Sequence, residues 1–292
     1  MILFMSDACY VLITAARNEE ACIEKTILAI VAQTRLPGKW VIVSDGSTDR
    51  TDEIVRQYAA QHEFIELLRI TGQEDRDFAS KVNAINAGYE RLEGLDYAFI
   101  GILDADITFG SDYYQGVLAR FAEDPRLGIA GGEIRDLYDG QAHKVSMGEH
   151  SVRGAVQLFR RACYEDIGGL VPLRTGGEDT VAEIQARMKG WKVATFPEIQ
   201  GLHLKPTGRQ YGPSMLLVRF RQGLQEYQLG YHPLFAMVKS LSRLSERPWF
   251  VGGLCRLGGY CYGIIRREKR SLSDETIRFL RNEQMQRLKL VG

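Results

Sequence analysis

A chain of 292 residues has room for one large α/β domain, or for a domain with a helical appendage, and buries a substantial core either way. Hydrophobic residues at 45% and charged residues at 25% exclude general disorder. Thirty-seven basic residues balance 37 acidic ones, so no overall field draws nucleic acid, and any anion must be held by a local site.

The five cysteines, Cys9, Cys22, Cys163, Cys255 and Cys261, are scattered and never form Cys-x-x-Cys, which speaks against a zinc site or a disulfide framework and for a reducing, cytoplasmic setting. The N-terminus, MILFMSDACYVLITAARNEE, lacks a basic region followed by a long apolar one, and reads without a signal peptide.

Apolar runs alternate with amphipathic stretches over the first two hundred residues, the pattern of βα units feeding a mainly parallel sheet. Tyr10 to Ala15 is predicted as the first strand and about Glu19 to Gln33 as a helix, with Ile23, Ile27, Ile30 and Val31 at helical spacing. Trp40 to Ser44 is the second strand. Asp49 is placed to cap a helix running to about Ala60, with Glu53 supporting it. Phe64 to Ile70, then a helix from Phe78 to Leu92, then the strongly apolar Tyr97 to Leu103 follow. Further strands are expected at Leu127 to Ile134, Val152 to Phe159 and Trp191 to Phe196, with a helix from Glu178 to Lys189. After about Pro213 the strand signal stops, so the expected division is residues 1–212 as an α/β domain and 213–292 as a helical region.

Ligands of open α/β sheets sit beyond the carboxyl ends of the strands, and Asp45 and the pair Asp104 and Asp106 both fall there. Two carboxylates at the end of a buried apolar strand repel unless a cation or hydrogen-bond donors compensate them. A Mg²⁺ or Mn²⁺ ion shared with a diphosphate would do so; two solvated aspartates in a loop are the bland alternative. In Asp45-Gly46-Ser47-Thr48-Asp49 the glycine permits a tight turn. Asp49 accounts for the cap, and Asp45 is left over to accept hydrogen bonds from a base or ribose.

Taken in order, Ala15-Ala16-Arg17-Asn18-Glu19-Glu20, Val43 to Asp49, Lys81 to Gly88, Asp104-Ala105-Asp106 and Gly177-Glu178-Asp179 resemble the inverting family 2 glycosyltransferases of GT-A fold, over roughly residues 8–210. The resemblance implies a mainly parallel mixed sheet flanked by helices, and a sugar transferred from a nucleoside diphosphate donor, expected to be a UDP-sugar. It implies that Ala15, Arg17 and Glu19 touch the nucleoside, that Asp45 binds the base, and that Arg76 and Lys81 lie near the nucleotide. It places Asp104, with Ala105 beside it, on the ribose or sugar, and Asp106 and His203 on the metal. Asp179 resembles the general base, its bland alternative being a carboxylate stabilised by a helix N-terminus. Lys205 and Arg209 are candidates to neutralise the departing diphosphate, or are ordinary solvated charges. Gly154 to Arg161 and Tyr164 to Gly169 resemble an acceptor-side segment.

Residues 231–270 are apolar, aromatic and finally basic. From Trp249 to Ile265 the one charge is Arg256, but five glycines and that arginine argue against a spanning helix. A helical projection puts Phe250, Leu254, Leu257, Cys261 and Ile264 on one face and Gly252, Arg256, Gly259 and Gly263 on another. The expectation is either peripheral contact with the inner face of a membrane, with Trp249 and the basic cluster at the headgroups, or a packed helix pair or homo-oligomer interface.

Three other readings compete. A sugar nucleotidyltransferase of related fold would carry a glycine-rich loop after the first strand, where this chain has none. An inactive scaffold conflicts with the presence of Asp45, Asp104, Asp106, Asp179 and His203 together. A dinucleotide oxidoreductase lacks its Gly-x-Gly-x-x-Gly. The processive members of the family have a Gln-x-x-Arg-Trp motif that this chain lacks, so transfer of a single sugar to a glycan or lipid-linked acceptor is favoured.

Overall fold

The computed structural model describes residues 9–71, 78–144, 151–205, 215–244 and 249–291. Arg76 and Arg209 therefore lie outside the described residues, as does the expected domain boundary near residue 212. The chain forms two compact units, residues 1–206 and 207–292.

In the first unit the strands and helices run β1 (Tyr10–Ala16), α1 (Ile23–Val31), β2 (Lys39–Asp45), α2 (Thr51–Ala59), β3 (Ile65–Ile70), α3 (Ala79–Glu90), β4 (Phe99–Leu103), β5 (Ile107–Phe109) and α4 (Tyr113–Glu123). Then come β6 (Leu127–Tyr138), β7 (Gln141–Lys144), β8 (Val156–Arg160), α5 (Arg161–Asp166), α6 (Glu178–Met188) and β9 (Lys192–His203). They build one mixed sheet in the order β3-β2-β1-β4-β8-β6-β9-β5, with β7 paired to β6. β1, β2, β3 and β4 are parallel neighbours, and β8 enters antiparallel between β4 and β6. Strands β1, β2 and β4 are buried along nearly their whole length and mostly apolar because both faces are covered. One face packs Leu12, Ile42 and Phe99 with Ile23, Ile27 and Ile30 of α1; the other packs Ile13, Val43 and Ile100 with Val82 and Ile85 of α3.

Several expected boundaries moved. The first helix begins at Ile23, one turn later than read, because Glu19 to Cys22 form a separate turn. Arg50, not Asp49, occupies the cap position of α2; Asp49 still accepts the Thr51 N–H at 3.0 Å, while Glu53 turns back to Arg50. The segment from Val152 becomes strand only at Val156. The closing strand does not stop at Phe196. Pairing shifts from Gly132 opposite Phe196 to Glu133 opposite Gln200, so Pro197 to Ile199 are looped out and the ladder resumes as far as His203. Gly132 is required there, since a methyl group would meet the Ile199 carbonyl. Helix α4 and the short strand β5 escaped the sequence reading: Tyr113, Tyr114 and Gly116 are poor helix signals, and three residues carry too little period.

The second unit is helical: α7 (Met215–Gln228), α8 (Pro233–Ser242), α9 (Val251–Arg266) and α10 (Asp274–Val291). Helices α7 and α9 cross at backbone contact. A methyl group on Gly223 would collide with the Arg256 carbonyl, and one on Gly259 with that of Phe220. The glycine face of α9 is thus the buried one. Its Arg256 pairs with the buried Glu226 at 2.5 Å, which Lys239 also meets at 2.8 Å. The large apolar side chains face outward, with Phe250 65%, Leu254 59% and Ile265 78% exposed. On α8 likewise Ala236 and Ser240 are buried while Leu234, Met237, Val238 and Leu241 are exposed. Among the described residues no helix is long and apolar enough to cross a membrane.

Candidate active site

The parallel strands β1, β2 and β4 end together, and the loops that leave them are laced. Asn18, at φ 52°, accepts the Thr48 N–H at 2.9 Å, Glu19 N–H donates to Thr51 Oγ1 at 2.7 Å, and Glu20 N–H donates to Asp49 Oδ2 at 3.1 Å. These bonds rigidify the stretch Arg17 to Glu20 against Ser47 to Thr51. Asp45 is buried at the end of β2, followed by Gly46 at φ 63°, where a left-handed turn suits glycine. Ala15 is half-buried, and Arg17 keeps a sheltered guanidinium nitrogen, Nη1, without a hydrogen-bond partner among the described residues.

Asp104 and Asp106 follow β4. The Asp104 N–H donates to the Ala155 carbonyl at 2.9 Å, and its carboxylate meets Lys81 Nζ, from the first turn of α3, at 2.6 Å. Ala105 is held by Thr26, whose hydroxyl donates to its carbonyl at 2.8 Å. Because Ile107 pairs directly with His203 across β5 and β9, the imidazole is delivered beside Asp106, with Nε2 to Oδ1 at 3.1 Å. One ligand atom each from Asp104, Asp106 and His203 lie within 4.8 Å of one another, an oxygen, oxygen and nitrogen set suited to Mn²⁺ or Mg²⁺. Burial disfavours an imidazolium here, yet hydrogen bonds to Asp106 and Asp136 push His203 up to about 9. Lys205 pairs with Glu19, closing the β1 loop onto the end of β9; Glu19 is raised by burial in spite of that partner.

Asp179 stands in the first turn of α6, after Gly177 at φ 92°. Its Oδ1 accepts the Thr180 N–H at 2.7 Å, so part of the carboxylate satisfies an open N–H of the helix's first turn, while Gly177 holds the cap position. The side chain lies flat on Gly154, where a methyl group would sit 2.6 Å from Oδ2. Burial opposes the charge on Lys81, but Asp104 and Glu178, with Asp179 behind them, raise it. Lys81 therefore links the two carboxylate groups electrostatically.

Three residues absent from the sequence reading complete the site. Asp136 accepts from Arg153, and both approach His203 Nδ1 at 3.2 Å. Glu183, one turn beyond Asp179 and 3% exposed, accepts the Val152 N–H at 2.6 Å and bonds Ser151 and Gln157. Burial, then the Asp179 charge, push it up to about 8. Nothing in their local spacing marks these residues, which act across strands.

The sequence model of glycosyl transferase family 2 matches residues 11–168. The chain is 25% identical over 259 residues to Glycosyltransferase AglE of Haloferax volcanii, covering 83% of this chain and 78% of that one. It is 31% identical over 121 residues to the poly-beta-1,6-N-acetyl-D-glucosamine synthase of Staphylococcus aureus, 41% of this chain but 27% of that relative's length. Similar solved folds include the mannosyltransferase PcManGT from Pyrobaculum calidifontis in complex with GDP-Man and Mn²⁺, at a TM-score of 0.58 and 18% identity, covering 97% of this chain and 81% of that one. They also include S. aureus TarS 1–349 in complex with UDP-GlcNAc, at 0.56 and 13%, covering 93% and 78%. At such identities these two likenesses speak to the fold alone.

Proposed function

We propose, from the premise that this chain belongs to glycosyl transferase family 2, that it moves a single sugar from a nucleoside diphosphate sugar to a glycan or lipid-linked acceptor, with inversion and with the help of Mn²⁺ or Mg²⁺. The observation that carries the reading is the convergence of Asp104, Asp106 and His203 at the carboxyl end of the sheet.

Asp106 and His203 would hold the metal and Asp104 the ribose or sugar. A bound ion would supply positive charge beside the diphosphate. Arg17 and the buried Asp45, with Ala15 and Glu19, would form the nucleoside side of the cleft. Asp179 takes the proton from the acceptor hydroxyl as its oxygen forms the bond to the anomeric carbon. The anomeric carbon–oxygen bond breaks on the opposite face, and the electron pair leaves with the nucleoside diphosphate. Lys81 holds Asp104 in place, and Lys205, paired with Glu19, would lend cationic charge to the departing group. Arg76 and Arg209 keep their proposed roles beside the nucleotide.

Peripheral contact with the inner face of a membrane, through residues 231–270, belongs to the same reading. Its support is the outward apolar face of α8 and α9, with Arg266, Arg267, Lys269 and Arg270 at one end. A lipid-linked acceptor would be met there; a homo-oligomer covering the same face is the competing outcome.

Calorimetric titration of UDP, GDP and dTDP, with and without Mn²⁺, tests the donor site. One nucleotide should bind in a metal-dependent way and lose that dependence in Asp106→Ala. No binding by the intact folded protein under any metal condition would overturn the reading.

A further inference from the structure

Asp136 and the buried Arg153 have no role in the transfer step, although both stand beside the Asp104, Asp106 and His203 cluster. Asp136 lies on β6 directly opposite His203 of β9 in the parallel ladder. The side chains of Arg153, Asp136 and His203 are 9%, 13% and 12% exposed, so solvent does not set their hydrogen bonds. The two imidazole nitrogens face two different carboxylates: Nε2 looks at Asp106 at 3.1 Å, and Nδ1 at Asp136 at 3.2 Å. A histidine that ligates through Nε2 must carry its remaining proton on Nδ1, and that proton needs an acceptor. Asp136 Oδ1 is that acceptor.

Arg153 pulls in the opposite direction. Its Nη2 is 3.2 Å from Nδ1 as well, and an arginine can only donate. Left alone with the ring, it would claim the Nδ1 lone pair and force the proton onto Nε2, aimed at Asp106 and blocking ligation. What stops it is Asp136, which engages Nη2 at 2.5 Å while the Ile134 carbonyl holds Nη1 at 3.1 Å. Arg153 thereby fixes the carboxylate, and the carboxylate fixes the ring. The same short segment carries Gly154 against Asp179 and Ala155 against the Asp104 N–H. The metal end and the base end of the cleft thus share one backbone.

We infer that Asp136, held by Arg153, is the positioning residue that selects the metal-ligating tautomer of His203. The inference rests on the metal reading of Asp106 and His203.

The test measures Mn²⁺ affinity in the presence of UDP and, in parallel, GDP, together with pulsed EPR detection of a ¹⁴N coupling to the bound Mn²⁺. His203→Ala sets the baseline without that coupling. Asp136→Ala should weaken Mn²⁺ binding by about 10- to 100-fold and lose the coupling. Arg153→Met should do less. The double variant Asp136→Ala/Arg153→Met should recover part of the affinity lost in Asp136→Ala, because nothing then forces the wrong tautomer. A purely structural pair would lower melting in Asp136→Ala but leave the ¹⁴N coupling in whatever Mn²⁺ still binds, and that result would overturn the inference. So would an Asp136→Ala protein with unchanged melting that keeps both affinity and coupling. Should Asp136→Ala not fold, Asp136→Asn, which keeps the shape and a weaker acceptor, takes its place with an intermediate loss expected. Absence of Mn²⁺ binding by the wild-type protein is a separate result, and removes the metal reading together with this one.

Discussion

Replacing Glu183 by Gln should make the protein more stable at alkaline pH, and the effect should vanish in acid. Glu183 sits behind Asp179 with its Oε1 saturated by Val152, Ser151 and Gln157, and it is pushed up to about 8 by burial and by Asp179. A carboxyl raised in the folded state is neutral there while the unfolded chain has already ionised. Stability from this group is therefore fully present below the unfolded value near 4.5 and is lost as pH rises through about 8. At 1.36 kcal/mol per unit, the loss between about pH 5.5 and about pH 9 comes to about 3 kcal/mol. Gln keeps the Oε1 acceptor and never ionises. In urea unfolding followed by far-UV circular dichroism, Glu183→Gln should lie within about 1 kcal/mol of wild type at about pH 5.5 and exceed it by about 2–3 kcal/mol at about pH 9. A stability difference that does not change between the two conditions would refute the reasoning, whatever its sign.

Asp179→Asn removes the proton acceptor but keeps the shape: transfer should fall by about 10²- to 10⁴-fold while calorimetry finds nucleotide binding intact. Gly223→Ala and Gly259→Ala each put a methyl group into a carbonyl of the crossing helix, and should destabilise the helical unit by about 1–3 kcal/mol in thermal melts. Leu254→Glu combined with Ile265→Glu touches exposed positions, so melting should hold, while co-sedimentation with phosphatidylcholine and phosphatidylglycerol vesicles should drop sharply. Unchanged sedimentation would remove the membrane contact from the proposal. Light scattering that shows a wild-type dimer, split by the same variant, would assign the face to a second copy.

How much of this was legible in advance differs from element to element. The apolar runs of β1, β2 and β4 and the helical periods of α1 and α6 are local signals, and they placed Asp45, Asp104 and Asp179 at strand ends and a helix start within one or two residues. The order of the loop motifs carried the family. His203 was expected near the metal from its place in that order, but its route there was not foreseen: Pro197 reads as a stop, and only the bulge against Gly132 carries β9 past it to pair with β5.

Sequence alone determined the βα alternation, the carboxylates beyond the strands and the two-faced character of α9, because each depends on neighbours within a turn or a strand. Tertiary structure decided which face of α9 is buried. Glycines pack backbone to backbone against α7, and the pairing of Arg256 with Glu226 satisfies a charge inside, so the large apolar side chains go out, opposite to the usual sense. It likewise decided that Asp136, Arg153 and Glu183 belong to the site. Their partners come from other strands and helices, and hydrogen bonding across a sheet depends on register, which no local period records.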